Sequence, residues 1–285
     1  MSNDHALRQH RIIEELKVAP VFDLDAERER RIAFLADYLE AQRLKTYVLG
    51  ISGGVDSSTA GRLAQLAVER LRARHVDARF IAMRLPYGEQ RDEADAKRAL
   101  AFVRPDETLT VNVKPAADAM RESLASSGLL YRDVRHEDFV LGNIKARQRM
   151  IAQYAVAAAH AGVVIGTDHA AESLMGFFTK FGDGGADVLP LYGLNKRRVR
   201  ALAEALGAGI DVSRKVPTAD LETLTPMKPD EDSYGISYED IDDFLEGKQV
   251  SDHVYATVYR FHEATHHKRV LPITPHDDWR SHALR

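Results

Sequence analysis

The chain has 285 residues, 45% of them hydrophobic and 29% charged, which is enough to bury a large core and describes a soluble globular protein. A net charge of −4 excludes a global basic field for nucleic acid, and zero cysteines exclude disulfides, thiolate metal sites and a cysteine nucleophile. No apolar run reaches membrane-spanning length and no basic-then-apolar signal opens the chain, so the expectation is a cytoplasmic protein with neither membrane nor nucleic-acid partner.

Apolar residues at Leu7, Ile12, Ile13 and Leu16 predict an amphipathic helix from His5 to Lys17, broken by Pro20. Asp25 is placed to cap a second helix reaching Arg43, with Ile32, Leu35 and Leu39 inward and the mixed-charge run 27–31 solvated. Thr46 to Ile51 reads as a buried strand and Ser57 to His75 as the helix after it. Ala78 to Leu85 is a second strand, Asp92 to Val103 a helix, Thr108 to Asn112 a third strand and Pro115 to Ser126 a helix. An irregular stretch from 127 to 140 leads into a long helix, Gly142 to His160, and a fourth strand, Val163 to Thr167. Asn195 to Leu206 is helical, residues 222–233 read as a mobile polar segment, and Tyr238 to Gly247 and Ser251 to His266 close the chain as helices. Strands alternating with helices predict a doubly wound parallel sheet with helices on both faces.

The chemistry concentrates between the first strand and its helix, in Gly50-Ile51-Ser52-Gly53-Gly54-Val55-Asp56-Ser57. Glycines admit a phosphate close to the backbone, and the unpaired amides and dipole of the helix N-terminus favour an anion. No lysine precedes the serine, so this is not a Walker loop. Asp56 beside phosphates calls for a cation between them, and Mg²⁺ is the natural one.

Other candidates lie at strand ends, where open parallel sheets bind ligands. Arg84 ends the second strand; Thr167 ends the fourth, and Glu172 follows one turn into the next helix, where it could share a cation with Asp56. His169 reads either as a ligand or as a structural histidine. Within the long helix, Arg147 shares a stripe with Ile144, Ile151, Ala155 and Ala158, with Arg149 nearly opposite; a guanidinium on an apolar face needs an anion, structural or substrate. Three glycines among the aromatics of 177–187 suggest unusual backbone angles, and the basic residues opening the helix at Asn195 oppose its dipole, so one of them should meet an anion.

These motifs join in one resemblance. The loop resembles the pyrophosphate loop of the ATP pyrophosphatase superfamily. Arg84-Leu85-Pro86, the run from Lys145 to Met150, Gly166 to Glu172, Phe177 to Asp187, Pro217 to Leu221 and His267-Lys268 narrow it to bacterial NAD⁺ synthetases of the ammonia-dependent type. The resemblance implies one domain, 1–285, of adenine nucleotide alpha hydrolase-like fold, including N-terminal helices 5–43 and C-terminal helices 238–266. It implies ATP-dependent amidation of deamido-NAD⁺ by ammonia through an acyl adenylate, in a homodimer with the dinucleotide at its interface. It assigns ATP to Gly50 through Ser57, Arg84, Thr167, Lys196 and Thr218, and Mg²⁺ to Asp56 and Glu172. Deamido-NAD⁺ falls to Arg147, Lys180, Asp187, His267 and Lys268, with Asp187 a candidate base for ammonia. Another adenylating enzyme on the same loop, such as a tRNA modifier, or a nucleotide-binding module without catalysis stays open on the loop alone.

Overall fold

The structure, a computed structural model, describes residues 3–88, 93–219, 223–225 and 228–277. Asp92, at the expected start of a helix, and Asp220 and Leu221 of the Pro217 turn lie outside the described residues.

Four strands form a parallel sheet in the order β3-β2-β1-β4: β1 (Thr46–Gly50), β2 (Arg79–Arg84), β3 (Glu107–Thr110) and β4 (Gly162–Val164). Their apolar runs follow from burial on both sides; Tyr47, Val48, Phe80 and Ile81 have no exposed surface. On one face, α2 (Leu24–Ala41), α3 (Val55–Ala73), α4 (Glu93–Val103) and α8 (Lys196–Ala205) pack around Leu35, Leu63, Phe80 and Leu202. On the other, α6 (Val134–Ala159) covers Val48, Ile81 and Val164, with α5 (Lys114–Ser126) packed against it. A third apolar cluster joins α1 (Asn3–Glu15), α7 (Ala170–Met175), α11 (Tyr238–Leu245) and α12 (Asp252–Ala264), with α13 (His266–Arg269) following. The expected doubly wound sheet is present. Its switch point lies at β1, because the chain builds β2 and β3 to one side and β4 to the other.

Several expectations are corrected. Asp23, not Asp25, caps α2, accepting the Ala26 N–H at 3.0 Å. The run 27–31 is not wholly solvated: Arg31 is buried, bonded to the Pro190 carbonyl and to Glu27, so it ties α2 to the 188–195 segment. Leu7 faces outward. The irregular 127–140 stretch already contains the first two turns of α6, which starts at Val134 because Asp133 accepts the His136 N–H at 2.8 Å. The stripe carrying Arg147 is largely exposed beyond Ile144, and the packed face of α6 instead runs through Leu141, Lys145, Arg149 and Gln153.

In the 177–187 loop the glycines supply space rather than unusual angles. A Cβ on Gly184 would stand 2.5 Å from Phe178, while the left-handed residues are Gly176 and Phe181. Among the described residues of 222–233, α10 (Asp230–Tyr234) follows a two-residue antiparallel pairing of β5 (Thr218–Ala219) with β6 (Lys228–Pro229). The Thr223 and Leu224 amides both donate to the buried Asp138 carboxylate. A short helix, α9 (Ile210–Ser213), was not legible because four residues carry no periodicity.

Candidate active site

A cavity of about 480 Å³ opens above the C-terminal ends of β1, β2 and β4, walled by α6 and by the 176–185 and 215–218 segments. Its floor is the loop after β1. Gly53 sits at φ +87°, a left-handed conformation that favours glycine, and its Cα faces Asp95 and Ala96 of α4. Gly54 caps α3 without a side-chain bond, which leaves the first amides of a 19-residue helix aimed at the cavity. Ser52 Oγ lies 3.1 Å from Ser57 Oγ and 3.3 Å from the Gly54 amide, so the loop carries its own hydroxyl network.

Beside the loop stands a buried charge cluster. Lys196 has no exposed side-chain surface, whereas Asp56 and Glu172 keep 17% and 19%. The ammonium is therefore sealed behind the carboxylates, and the carboxylates face the cavity. Lys196 Nζ lies 2.8 Å from Asp56 Oδ2, 4.0 Å from Glu172 Oε1 and 4.8 Å from the centre of the Tyr238 ring. This position opposes the dipole of α8, and Asp242 compensates by accepting the Lys196 and Arg197 amides at 2.9 and 2.6 Å. The expectation that a basic residue of this helix meets an anion holds for Lys196 at the cavity and also for Arg197, which pairs with Glu239, Asp243 and Glu246.

Burial pushes Asp56 toward its neutral form, but the adjacent Lys196 ammonium and the contact with His169 outweigh it and hold the carboxyl well below the usual range. Glu172, in the same cluster, is raised far above its ordinary value by burial and by Asp56. The two carboxyls are thus driven in opposite directions, Asp56 toward its ionised form and Glu172 toward its neutral form. His169 is fully buried; its Nδ1 accepts the Glu172 N–H at 3.4 Å, and its Nε2 lies 3.3 Å from both Asp56 Oδ1 and Lys196 Nζ. Burial and Lys196 lower its pKa, so it stays neutral. It reads as a structural residue that also belongs to the cluster: Asp56, His169 and Glu172 each offer a ligand atom within 4.8 Å of the others.

Of the expected residues, Gly50, Ile51, Ser52, Gly54, Val55, Asp56, Ser57, Thr167, Glu172, Thr218 and Lys268 line the cavity. Gly53 and Lys196 lie directly behind that wall. Arg84 does not face the cavity, because it is turned onto Glu93 of α4 at 3.0 Å. Arg147 is exposed and donates to the Lys180 carbonyl at 3.3 Å. Lys180 donates to the His267 and Val270 carbonyls, and Lys268 to those of Gly176 and Phe178, so both lysines tie the 177–187 loop to the segment after α12. His267 is exposed. Asp187 accepts the Val164 amide at 2.7 Å and the Tyr154 hydroxyl at 3.2 Å, which fixes it to the end of β4.

Sequence reasoning missed Arg149, Gln153, Lys215, Asp230 and Phe178 among the cavity residues. Arg149 and Gln153 are spaced as one helical turn on the face opposite Arg147, a signal that could have found them. Asp230 and Phe178 carry none, since long-range packing brings them in.

A sheet with its switch point at β1, an amide-lined loop and two acids at the ends of β1 and β4 describe a nucleotide enzyme, and comparison with known proteins says which. The NAD synthase family model matches residues 27–272. The NH(3)-dependent NAD(+) synthetase of Paraburkholderia phytofirmans is 70% identical over 275 residues, 96% of each chain. The crystal structure of NAD+ synthetase from Burkholderia pseudomallei superposes with a TM-score of 0.83 at 68% identity, covering 95% of this chain and 99% of that one. An NMN synthetase structure from Francisella tularensis gives 0.77 at 34% identity, over 90% of this chain and 100% of that one. The family model and these relatives span nearly the whole length of the fold, and the chain belongs to the NAD synthase family.

Proposed function

We propose that this chain is an ammonia-dependent NAD⁺ synthetase, a ligase that amidates deamido-NAD⁺ at the expense of ATP. The observation that carries the reading is the apposition of the open α3 N-terminus and its serine-lined loop with Asp56 and Glu172 in one cavity, on a frame shared with NAD synthetases.

The loop amides and the Ser52 and Ser57 hydroxyls bind the ATP phosphates, and Thr167 and Thr218 reach the nucleotide from two other walls. The carboxylate of deamido-NAD⁺ attacks the α-phosphorus. An acyl–oxygen–phosphorus link forms while pyrophosphate leaves, its charge held by the loop. Ammonia then adds to the acyl carbon, AMP departs and one proton is lost, giving NAD⁺. The chain's contribution is mainly position and electrostatics.

The cluster suits Mg²⁺, because the side chains that face the cavity are the carboxylates of Asp56 and Glu172, which with His169 bring ligand atoms within 4.8 Å of one another. Asp56 and Glu172 would hold the ion, which when bound neutralises charge on phosphate oxygens. Lys196 supplies the counter-charge from behind, keeping Asp56 ionised for that role.

The exposed stripe of α6, with Arg147 and Ile151, supports a homodimer in which deamido-NAD⁺ meets Arg147, Lys180, Asp187, His267 and Lys268 at the interface. Arg84 would exchange Glu93 for the nucleotide. In this reading residues 1–285 act as one cytoplasmic domain. Among the described residues no helix is long and apolar enough to cross a membrane.

The test is direct. Purified protein with deamido-NAD⁺, ATP, Mg²⁺ and ammonia should yield NAD⁺, AMP and pyrophosphate in equal amounts. Nicotinic acid mononucleotide in place of the dinucleotide should react far more slowly. Preference for the mononucleotide would overturn the substrate assignment, and pyrophosphate release without amide formation would overturn the reaction.

A further inference from the structure

The parallel ladder between β1 and β4 stops in mid-bond. The Ile165 amide still donates to the Val48 carbonyl at 2.9 Å. The next rung of an evenly spaced parallel ladder would send the Gly50 N–H to the Ile165 carbonyl. It goes instead to Gln153 Oε1 of α6, at 2.7 Å. Ile165 turns away to bridge Val188. A side-chain carboxamide thus stands where a strand should be, at the switch point where open α/β sheets bind their ligands.

One helical turn earlier on the same face, Arg149 Nε donates to the carbonyl of Leu85, the residue after β2, at 3.0 Å. Two polar side chains of α6 therefore grip the chain just as it leaves β1 and β2. Both line the cavity. The fit at Gly50 is close: a Cβ there would lie 3.3 Å from Gln153 Oε1 and 3.3 Å from Leu85. The loop that follows Gly50 carries Ser52, Asp56 and Ser57, so its height above the sheet depends on where Gly50 is held.

We propose that Gln153 is a positioning residue for ATP, holding the first residue of the phosphate loop through the Gly50 amide at the point where β4 leaves the sheet. The inference rests on the reading of that loop as the ATP site. It assigns Gln153 no contact with the reacting atoms. Its effect is selective, because Arg147, the residue of α6 expected to take the dinucleotide, lies on another side of that helix and bonds to the Lys180 carbonyl, not to Gly50.

The test is Gln153→Leu in the full-length protein, close in size but without an acceptor. Loss of the acceptor that holds the Gly50 amide should raise the KM for ATP by about 5- to 150-fold. The KM for deamido-NAD⁺ should stay within about twofold, the scatter expected for a site without a lost contact. A purely structural glutamine would lower the melting temperature and leave both KM values alone, and that result overturns the proposal. If the leucine variant does not fold, Gln153→Asn stays polar but is one methylene too short to reach Gly50. It should show the same split, and a normal KM for ATP in it overturns the proposal equally. An ATP-induced rise in the wild-type melting temperature is measured alongside: its absence means that the loop is not the ATP site, whereas its presence with an unchanged KM in the variant faults the role of Gln153 alone.

Discussion

Lys196→Met isolates the charge logic of the site. The side chain has no exposed surface and its ammonium lies 2.8 Å from Asp56 and 4.0 Å from Glu172. Burial works against its charge, yet the two carboxylates hold its pKa above the ordinary value. Methionine keeps most of the volume and removes the charge, leaving Asp56 buried against Glu172 with no cation. Removing one partner of a buried pair costs about 3–5 kcal/mol. For a chain of 285 residues the unfolding entropy is about 0.6 kcal/mol/K, so the melting temperature should fall by about 5–8 °C in EDTA. Millimolar Mg²⁺ should recover much of that fall, because a divalent ion on Asp56 and Glu172 supplies the missing charge and binds only the folded state. The recovery in the variant should exceed the Mg²⁺ shift of the wild type. The measurement is a thermal melt of both proteins with EDTA and with Mg²⁺. A variant as stable as wild type in EDTA would show that the carboxylates do not depend on Lys196. A fall that Mg²⁺ leaves untouched would refute a cation site shared by Asp56 and Glu172.

Arg147→Ala should leave the melting temperature unchanged, because the side chain is exposed and its bond to the Lys180 carbonyl is long at 3.3 Å. It should raise the KM for deamido-NAD⁺ by about 10- to 150-fold, the worth of a charge-assisted contact, without moving that for ATP; steady-state kinetics on both substrates beside a melt check it. Asp168, which accepts the Ser173 hydroxyl at 2.6 Å, is pushed up to about 7 by burial. A carboxyl raised in the folded state binds its proton more tightly there than in the unfolded chain. Its stabilising share is therefore full below its unfolded value of 3.8 and is lost as pH climbs to about 7. Asp168→Asn should thus melt higher than wild type at pH above 7 and alike near pH 4 in EDTA, so melts across that range check the sign. The chain should use free ammonia and fail with glutamine alone, since it has no cysteine to act as the amidotransfer nucleophile; NAD⁺ formation by the purified protein with glutamine as sole nitrogen source would contradict this.

Local chemistry by itself determined the phosphate loop. A buried strand, a left-handed glycine, an uncapped helix start and an acid in the first turn are properties of neighbouring residues, and Tyr47 through Ser58 contain all of them. The alternation of strands and helices likewise determined a doubly wound sheet, because parallel strands need a crossover between them. Tertiary structure decided what faces what. The stripe of Ile144, Arg147 and Ile151 has helical period, but period cannot say which side the sheet takes, and the sheet took the side of Arg149 and Gln153. Arg84 sits at a strand end in either description, and only the approach of α4 brings Glu93 onto it. Lys196 lies 140 positions from Asp56 in the chain, yet the fold brings them to 2.8 Å. The reason is that a buried ammonium is tolerated only against a buried carboxylate, and which carboxylate that is depends on the packing of α8 behind α3 and α7, which no local pattern encodes.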